Sequence, residues 1–337
     1  MRLDRRQFLT ATALGLAAAP LAARPGLAAA PAPAPQKLKV GYLHTLSCDG
    51  HLWLGEHLGA FKQEGLEVEA LQFVTGLEAY QALAGGSVDV VTTGAVISNF
   101  PARGQGKVFL INGLETGIAQ IWVDPKAGIS TLADLKGKQV ATTRGTTAHF
   151  FLHRALKSVG LDSTKDVEIV HQRLDQAVTA FISGSVPAVV LWVPLDTPIR
   201  QRRPDAVLLA KSGDFPDATV VDGWSARNAL PAENPALLER VVRAWARAND
   251  FLLSSPDQAL AVLAAGKYKD FTVEELKRQA ELIQYYPTNV WPKYYSDGSI
   301  VRWLNQVTDF NQEVGAIKDP IRAETYFDPK IFLAALA

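Results

Sequence analysis

The segment 144–149 reads Arg-Gly-Thr-Thr-Ala-His, a glycine turn followed by hydroxyl and imidazole side chains. An apolar run precedes it and a helical pattern begins at Thr147, which places the segment between a strand and a helix. The first N–H groups of a helix have no intrahelical acceptor, and the helix dipole favours negative charge there. The pattern therefore predicts an anion site at Gly145, Thr146, Thr147 and His149. In the alternative interpretation Thr146 only caps the helix.

Two further candidates follow strand-like runs. Trp192 ends one such run and precedes Pro194 by two positions. Its indole N–H could donate to a ligand or its ring could pack on an apolar stem, and the alternative is a core tryptophan. Asp222 and Trp224 flank Gly223 on another run. Asp222 is a candidate partner for a ligand amine, and the alternative is a turn residue.

Three polar loops, at 44–49, 75–78 and 92–95, also come directly after predicted strands. Gly76 and Gly94 leave room for a ligand to approach the backbone closely. Ligands of parallel sheets bind at the carboxyl ends of strands, so we expect these loops to form a polar rim around a small site. The candidates in this rim are His44, Ser47, Asp49, Gly76, Thr93 and Gly94.

Metal chemistry is a weaker interpretation of the histidines. His149 and His153 are four residues apart, a metal-ligand spacing on one helix, and the loop 44–51 holds further donor side chains. The His-Glu-x-x-His pattern is missing, and His153 fits equally well as an amphipathic-helix residue. We therefore expect neither a metal nor a cofactor.

Short apolar runs alternate with helical patterns, and these elements must position the candidates. The predicted strands are 37–43, 66–73, 88–92, 108–112, 120–123, 139–143, 167–170 and 188–193. The predicted helices are 52–63, 77–84, one starting at Ala95, 147–159, 174–183, 235–253, 256–265, 273–285 and 299–314, with a polar loop at 47–50. The alternation predicts an α/β fold with mainly parallel sheets flanked by helices and a helical C-terminal segment.

The composition limits the class of protein. The chain has 337 residues, which favours two domains or one large α/β unit, and 48% of them are apolar, a globular proportion. It has 34 basic and 34 acidic side chains, so it lacks the basic excess of a nucleic-acid-binding protein. Cys48 is the only cysteine, which excludes an intramolecular disulfide.

The first 34 residues have the organisation of an export signal. A charged start with Arg5 and Arg6 precedes an apolar run at 8–21, and a spacer rich in proline and alanine follows. The paired arginines resemble the twin-arginine export motif, and an ordinary secretory signal is the alternative. The apolar run is too short for a membrane span of about 20 residues. We expect a soluble protein of the bacterial periplasm.

Six segments carry a family resemblance, namely 40–42, 82–90, 132–149, 155–161, 184–188 and 191–194. In order along residues 37–330, the chain resembles periplasmic solute-binding proteins of the nitrate, sulfonate and taurine ABC importers, a family that includes thiamine-precursor binders. The resemblance implies the type II periplasmic binding protein fold, in which two α/β lobes close around one small ligand. Besides the export signal and spacer at 1–34, the resemblance implies a first lobe of 37–122 plus 222–337 and a second lobe of 123–221.

The same resemblance implies a non-enzymatic receptor. Such a receptor captures a small anion or zwitterion, with a sulfonate such as taurine as the first choice and nitrate, aromatic acids and pyrimidines as others. Its partners would be the permease of an ABC transporter at the inner membrane and, during export, the twin-arginine translocase. We expect a monomer that does not bind nucleic acid.

Two enzymes on the same scaffold are the alternatives. Cys48 occupies the position where a related sulfinate-cleaving enzyme carries its nucleophile, and cysteine chemistry needs a nearby base. The partner histidine and arginine of that enzyme are not evident in this sequence. The other alternative is a pyrimidine synthase like the yeast thiamine-precursor enzymes, which lack export signals and carry a cysteine-rich motif that is missing here.

Overall fold

The computed structural model describes residues 35–215 and 219–337, and the predicted export signal with Arg5 and Arg6 lies outside these ranges. The strands are β1 (Gln36–Leu43), β2 (Leu66–Phe73), β3 (Val90–Thr93), β4 (Lys107–Glu115), β5 (Ala119–Val123), β6 (Gln139–Thr142), β7 (Glu168–His171), β8 (Ala188–Trp192), β9 (Val207–Lys211), β10 (Val220–Ala226) and β11 (Ile283–Gln284). No helix within the described ranges is long and apolar enough to cross a membrane.

The helices cover both faces of the sheets and form most of the C-terminal third of the chain. They are α1 (Leu46–His57), α2 (Ala60–Gln63), α3 (Gly76–Ala84), α4 (Thr147–Ser158), α5 (Leu174–Ile182), α6 (Thr197–Arg202), α7 (Leu230–Glu233), α8 (Pro235–Ser254), α9 (Pro256–Ala265), α10 (Val273–Ala280), α11 (Trp291–Ser296), α12 (Ser299–Glu313), α13 (Ala323–Tyr326) and α14 (Pro329–Ala335).

The strands form two sheets. The first has the order β11-β4-β10-β3-β1-β2, and the second has the order β7-β6-β8-β5-β9. Strand β1 is parallel to β2 and β3, and β6 is parallel to β7 and β8, as the strand–helix alternation predicts. Strands β10 and β5 run antiparallel to their neighbours. The α/β prediction is confirmed, but both sheets are mixed, because β5 and β10 are not preceded by the helical crossover that a parallel pairing needs.

Helix α8 shows how the first sheet is covered. Asn234 accepts a hydrogen bond from the N–H of Leu237 at 3.1 Å, and Pro235 occupies the first turn, two features that start a helix. Leu238, Val242 and other residues at helical spacing are fully buried and pack in the largest hydrophobic core, which includes residues of β1, β4 and β10. The second sheet has separate cores against α4 and α5.

Three predicted helices differ from the structure. The helix predicted at 52–63 begins at Leu46, so the predicted polar loop 47–50 is its buried first turn. The carbonyl of Thr45 accepts the N–H groups of Cys48 and Asp49 and thereby starts this helix early.

The helix predicted from Ala95 is a 3₁₀ turn, Ala95–Ser98, and the helix predicted at 273–285 ends at Ala280. The chain beyond it pairs as β11 with the edge of β4, because this extended pairing satisfies the backbone polar groups of both segments.

Candidate functional site

A cavity of about 30 Å³ lies where loops of the two sheets meet. Its lining residues are Leu43, Thr45, Ser47, Cys48, Gly76, Gly94, Val96, Glu115, Ile118, Thr146, Thr147 and Trp192. They come from the ends of β1, β3 and β4, from the starts of α1, α3 and α4, and from the end of β8. The cavity therefore brings the predicted anion loop together with part of the predicted polar rim.

The start of α4 forms one wall of this cavity. The hydroxyl of Thr146 donates to the carbonyl of Thr143 at 2.7 Å and does not cap the helix. The hydroxyl oxygen of Thr147 accepts the N–H of Ala95 at 3.0 Å, which leaves its own proton available for a ligand. The two threonines thus differ, because only the Thr147 hydroxyl has a free donor in this arrangement.

The same wall is tied to the first sheet. Asn99 donates to the carbonyl of Gly145 at 3.3 Å, and Ala95 donates to Thr147 as described above. Both donors belong to the segment that follows β3, and both acceptors belong to the turn into α4. These hydrogen bonds join the loops of the two sheets on one side of the cavity.

Three oxygen atoms converge on Gly94. A Cβ atom added to this glycine would lie 2.9 Å from Thr147 Oγ1, 3.1 Å from Asp222 Oδ1 and 3.2 Å from Glu115 Oε1. Such distances are below normal van der Waals contact, so a side chain at position 94 would displace at least one of these groups. The glycine keeps open the space that the hydroxyl and the two carboxyl groups surround.

Glu115 and Asp222 form a buried acid pair opposite α4. Asp222 is fully buried, Glu115 is 5% exposed, and neither Glu115 Oε2 nor Asp222 Oδ2 has a hydrogen-bond partner within the described residues. Burial raises the pKa of Asp222 to about 7. Burial and the charge of Asp222 raise the pKa of Glu115 well above its ordinary range. The pair therefore holds at least one proton at neutral pH.

Cys48 lies beside this pair. Its thiol donates to Asp222 Oδ1 at 3.5 Å, and burial together with the carboxyl groups of Asp222 and Glu115 raises the pKa of the thiol. Reactive cysteines have a lowered pKa, provided by positive charge or an adjacent base. No lysine, arginine or histidine is among the residues that line the cavity. This environment disfavours the thiolate.

The structure brings six predicted site residues into the cavity lining: Ser47, Gly76, Gly94, Thr146, Thr147 and Trp192. Gly145 adjoins Thr146 in the chain, and Asp222 contributes one of the oxygens around Gly94. The other five predicted residues, His44, Asp49, Thr93, His149 and Trp224, are not among the lining residues.

Structural contacts account for most of these five. Asp49 is fully buried and accepts hydrogen bonds from His44 Nδ1 and Trp53 Nε1, each at 2.8 Å, and from the hydroxyl of Tyr268. The indole N–H of Trp224 donates to the side chain of Asn112 at 2.9 Å within the core. These side chains are held by hydrogen bonds within the protein and are not part of the cavity lining.

The histidines of α4 have separate partners. His149 Nδ1 accepts the N–H of Gly145 at 3.1 Å, and burial lowers the pKa of His149 to about 3. His153 bonds to Ser163 and Glu313, each at 2.8 Å. Within the part of the chain that the structure describes, no group of three or more His, Cys, Asp or Glu side chains is placed to hold a metal ion.

The sequence analysis did not predict Glu115, which is the acidic residue of the cavity lining. It ends the apolar strand β4, where an acidic residue ordinarily marks the exposed end of a strand. The predicted strand ended at residue 112 and therefore placed Glu115 in a connection. The structure extends β4 to Glu115 and leaves only residues 116–118 before β5. Leu43, Val96 and Ile118 were also not predicted. Thr45 and Cys48, which complete the lining, belong to the predicted polar loop 44–49 but were not singled out as site residues.

Two mixed β-sheets flanked by helices, with a small cavity between their loops, are the architecture of a two-lobe binding protein. The NMT1/THI5-like family matches residues 50–259, which is more than half of the chain. The chain belongs to this family.

Relatives and solved structures agree with this assignment. A Brucella abortus protein whose name describes a binding protein is 29% identical over 301 residues, covering 88% of this chain and 92% of that protein. An Escherichia coli protein named for binding aliphatic sulfonates is 28% identical over 243 residues, covering 68% of this chain and 71% of the relative.

The structure of the periplasmic aliphatic sulphonate binding protein SsuA from Escherichia coli superposes with a TM-score of 0.68 at 21% identity, covering 87% of this chain and 92% of the other. The chain thus has the two-lobe fold of periplasmic binding proteins, as expected from the sequence. The desulfurization enzyme DSZB shares the fold at a TM-score of 0.63 and 15% identity, covering 89% of this chain and 99% of the enzyme. The scaffold itself is therefore compatible with both binding and catalysis.

Proposed function

We propose that this chain is the periplasmic substrate-binding component of an ABC transporter. It captures a small anionic or zwitterionic solute of the sulfonate, taurine and nitrate class and delivers it to the membrane permease. The observation that carries the proposal is the cavity between loops of both sheets, with the uncapped start of α4 on one wall. Free N–H groups and the dipole at a helix start favour an anionic head group.

The small volume supports a compact ligand. A cavity of about 30 Å³ holds a head group of a few heavy atoms, since one water needs roughly 10–15 Å³ by this measure. Residues of both sheets line it, so a ligand there contacts both lobes. Binding between lobes is how a hinge motion couples to occupancy, and the permease can recognise the closed form.

A thermal-shift screen tests this proposal, because a ligand that binds only the folded state raises the melting temperature. The probes are taurine, ethanesulfonate, nitrate, benzoate and an aminopyrimidine, followed by calorimetry on any that respond. The variant Gly94→Ala should abolish the response, since its methyl group would meet Thr147 and both carboxyl groups. The control Gly85→Ala changes the cap of α3 outside the cavity and should retain it. Absence of a shift with every probe would contradict the proposal.

The proposed location depends on the leader. The paired arginines and the apolar run that follows them support export to the periplasm by the twin-arginine route. Changing Arg5 and Arg6 together to lysine should block secretion, measured by cell fractionation. Normal accumulation of this variant in the periplasm would argue for the ordinary secretory route and leave the location intact.

A desulfinase is the second candidate function, since Cys48 lines the cavity and a desulfurization enzyme shares the fold. The raised pKa of the thiol ranks it below the receptor. A sulfinate-cleavage assay that is positive for the native chain and negative for Cys48→Ser would reverse this ranking.

A further inference from the structure

We propose that Arg173 is a reversible latch between the two lobes: it pairs with Glu78 across the gap when the lobes are closed and with Asp175 on its own helix when they are open. Its guanidinium lies 3.6 Å from Glu78 Oε1 and 3.5 Å from Asp175 Oδ1. One cation thus has an acidic partner on each side of the gap. The latch controls opening and does not contact the solute, so its role does not depend on which solute binds.

The two acidic partners are attached to different sheets. Glu78 is in α3, which packs in a core with residues of β2 and β3 of the first sheet. Asp175 is in α5, which packs in a core with residues of β6 and β8 of the second sheet. Glu78 Oε2 accepts the N–H groups of Val74 and Thr75, each at 3.2 Å, and this holds the carboxylate in place. Its other oxygen, Oε1, is the one that faces Arg173.

The ion pair lies between the cavity and solvent. Gly76, in the same helix turn as Glu78, lines the cavity. On the second sheet, the hydroxyl of Thr143 donates to the carbonyl of the residue before Arg173, and the carbonyl of Thr143 accepts the hydroxyl of the lining residue Thr146. Glu78 is 40% exposed and Arg173 is 47% exposed. The pair therefore closes the solvent-facing side of the gap beside the cavity.

Two other contacts between the sheets are apolar and lie near the connections that join them. Phe310 of α12 contacts Phe150 of α4, with ring centroids 5.5 Å apart, in a core that includes Val220 at the start of β10. Val193, after β8, packs in another core with Ile118, between β4 and β5. Close-packed apolar cores resist separation, whereas an exposed ion pair separates at little cost. We therefore expect the lobes to pivot about these two cores and to part at the latch.

The competition between the two acidic partners makes the latch easy to reverse. Both distances exceed the roughly 2.7–2.9 Å of a strong charge-assisted hydrogen bond, so neither partner holds the guanidinium firmly. In the open form Arg173 retains Asp175 alone, and in the closed form it is shared with Glu78. Loss of the Glu78 charge should therefore favour the open form. Loss of the Asp175 charge should favour the closed form, because the open form then leaves Arg173 without either acidic partner.

Pulsed electron paramagnetic resonance without solute tests this opposition. Spin labels at Gln81→Cys and Gln176→Cys, two exposed positions on α3 and α5, report the separation of the lobes in a Cys48→Ser background. Glu78→Gln should lower the ratio of closed to open protein about threefold, and Asp175→Asn should raise it about threefold, an effect typical of an exposed ion pair. Glutamine at position 78 keeps the side-chain oxygen that caps α3. Sodium chloride at about 0.5 M should reduce both differences by screening.

The control is an exposed ion pair within the first lobe. Arg227 follows β10 at the sheet edge opposite the cavity and lies 2.8 Å from Glu233. Arg227→Gln should leave the ratio of closed to open protein unchanged. An unchanged ratio in Glu78→Gln and Asp175→Asn, or a shift of both in the same direction, would overturn the latch and leave the receptor proposal intact, because solute binding tests that proposal separately. Melting curves verify that each variant is folded.

Discussion

Two buried acidic centres, Asp49 and the Glu115–Asp222 pair, differ in how their carboxyl oxygens are satisfied. Asp49 accepts hydrogen bonds from His44, Trp53 and Tyr268, so its two oxygens are both partnered. The Glu115–Asp222 pair leaves one oxygen of each carboxyl group unpartnered within the described residues. Burial raises the pKa of Asp49 as well, but its three hydrogen bonds act in the opposite direction.

This difference separates a carboxylate that is satisfied by donors from a pair that is satisfied by retaining a proton. A carboxylate with a complete set of donors fixes the elements that provide them, here the loop after β1, helix α1 and the chain beyond α9. The Glu115–Asp222 pair lacks such a set of donors, so it is stable in the buried state only while it retains a proton. Sequence position does not distinguish the two, since Asp49 follows directly after Cys48, which contacts Asp222.

The largest contrast should come from the matched substitutions Asp49→Asn and Asp222→Asn. Asp49→Asn keeps the volume but leaves one or two buried donors without an acceptor, at about 1–3 kcal/mol each. We expect a loss of roughly 2–4 kcal/mol in the free energy of unfolding by urea titration at pH 8. Asp222→Asn removes a buried charge and should be neutral or stabilising under the same conditions. A larger loss of unfolding free energy for Asp222→Asn than for Asp49→Asn would contradict the proposed difference between the two acidic centres.

Asp222 of the acid pair should also make the stability of the protein depend on pH. With a folded pKa of about 7 and an unfolded value near 4, Asp222 stabilises the fold below the lower value, and this stability is lost as pH rises through 7. The expected slope is up to about 1.4 kcal/mol per pH unit for one proton. Asp222 also contributes to raising the pKa values of Glu115, Cys48 and Tyr285. The titration of these groups extends the loss of stability to higher pH.

The difference between native protein and Asp222→Asn isolates this contribution. Thermal melts from pH 4.5 to 8.5 without ligand should show a shallower decline for the variant. Parallel curves for the two proteins would mean that Asp222 titrates normally.

Thr146, the N-cap residue of α4, and Thr147, its first residue, also differ in how their hydroxyl groups are satisfied. The Thr146 hydroxyl already donates to Thr143, whereas the Thr147 hydroxyl still has a proton to donate into the cavity. Thr147→Val should therefore weaken ligand binding by about tenfold, equivalent to about 1.4 kcal/mol. Thr146→Val should weaken it several-fold less and mainly lower stability. Calorimetry with the best ligand of the screen measures both, and equal losses would contradict the assignment.

Cys48→Ser should have the smallest effect. Serine retains a donor toward Asp222 and is nearly the same size, so a receptor should keep its affinity within about threefold, or less than 1 kcal/mol. Calorimetry on this variant provides the measurement. A loss of tenfold or more would indicate that the thiol itself contacts the solute.

Periodicity predicted the fold well because the elements that set it are strongly patterned. The alternation in β1 and β2 and the apolar stripe of α8 were read correctly, as were the ends of α9. The start of α1 was missed because Ser47, Asp49 and Gly50 are typical of loops, and only tertiary burial makes that turn helical.

The site was predicted in part for a related reason. Residues in turns after strands, such as Gly94 and Thr147, face the cavity as expected. Trp224 and Asp49 were chosen by type, but their hydrogen-bond partners, Asn112 and Tyr268, are distant in sequence and cannot be inferred from spacing. Glu115 was missed because the sequence does not show which acidic strand end is buried.

The hydrogen bonds from Ala95 to Thr147 and from Asn99 to Gly145 have a kinetic consequence. They join the two lobes without using a solute atom, so part of the barrier to opening is the same whether the cavity is occupied or empty. A solute that is already enclosed must wait for these two contacts to break before it escapes. These two contacts therefore set a minimum residence time that is common to all solutes, and stronger contacts between protein and solute lengthen the residence time beyond it.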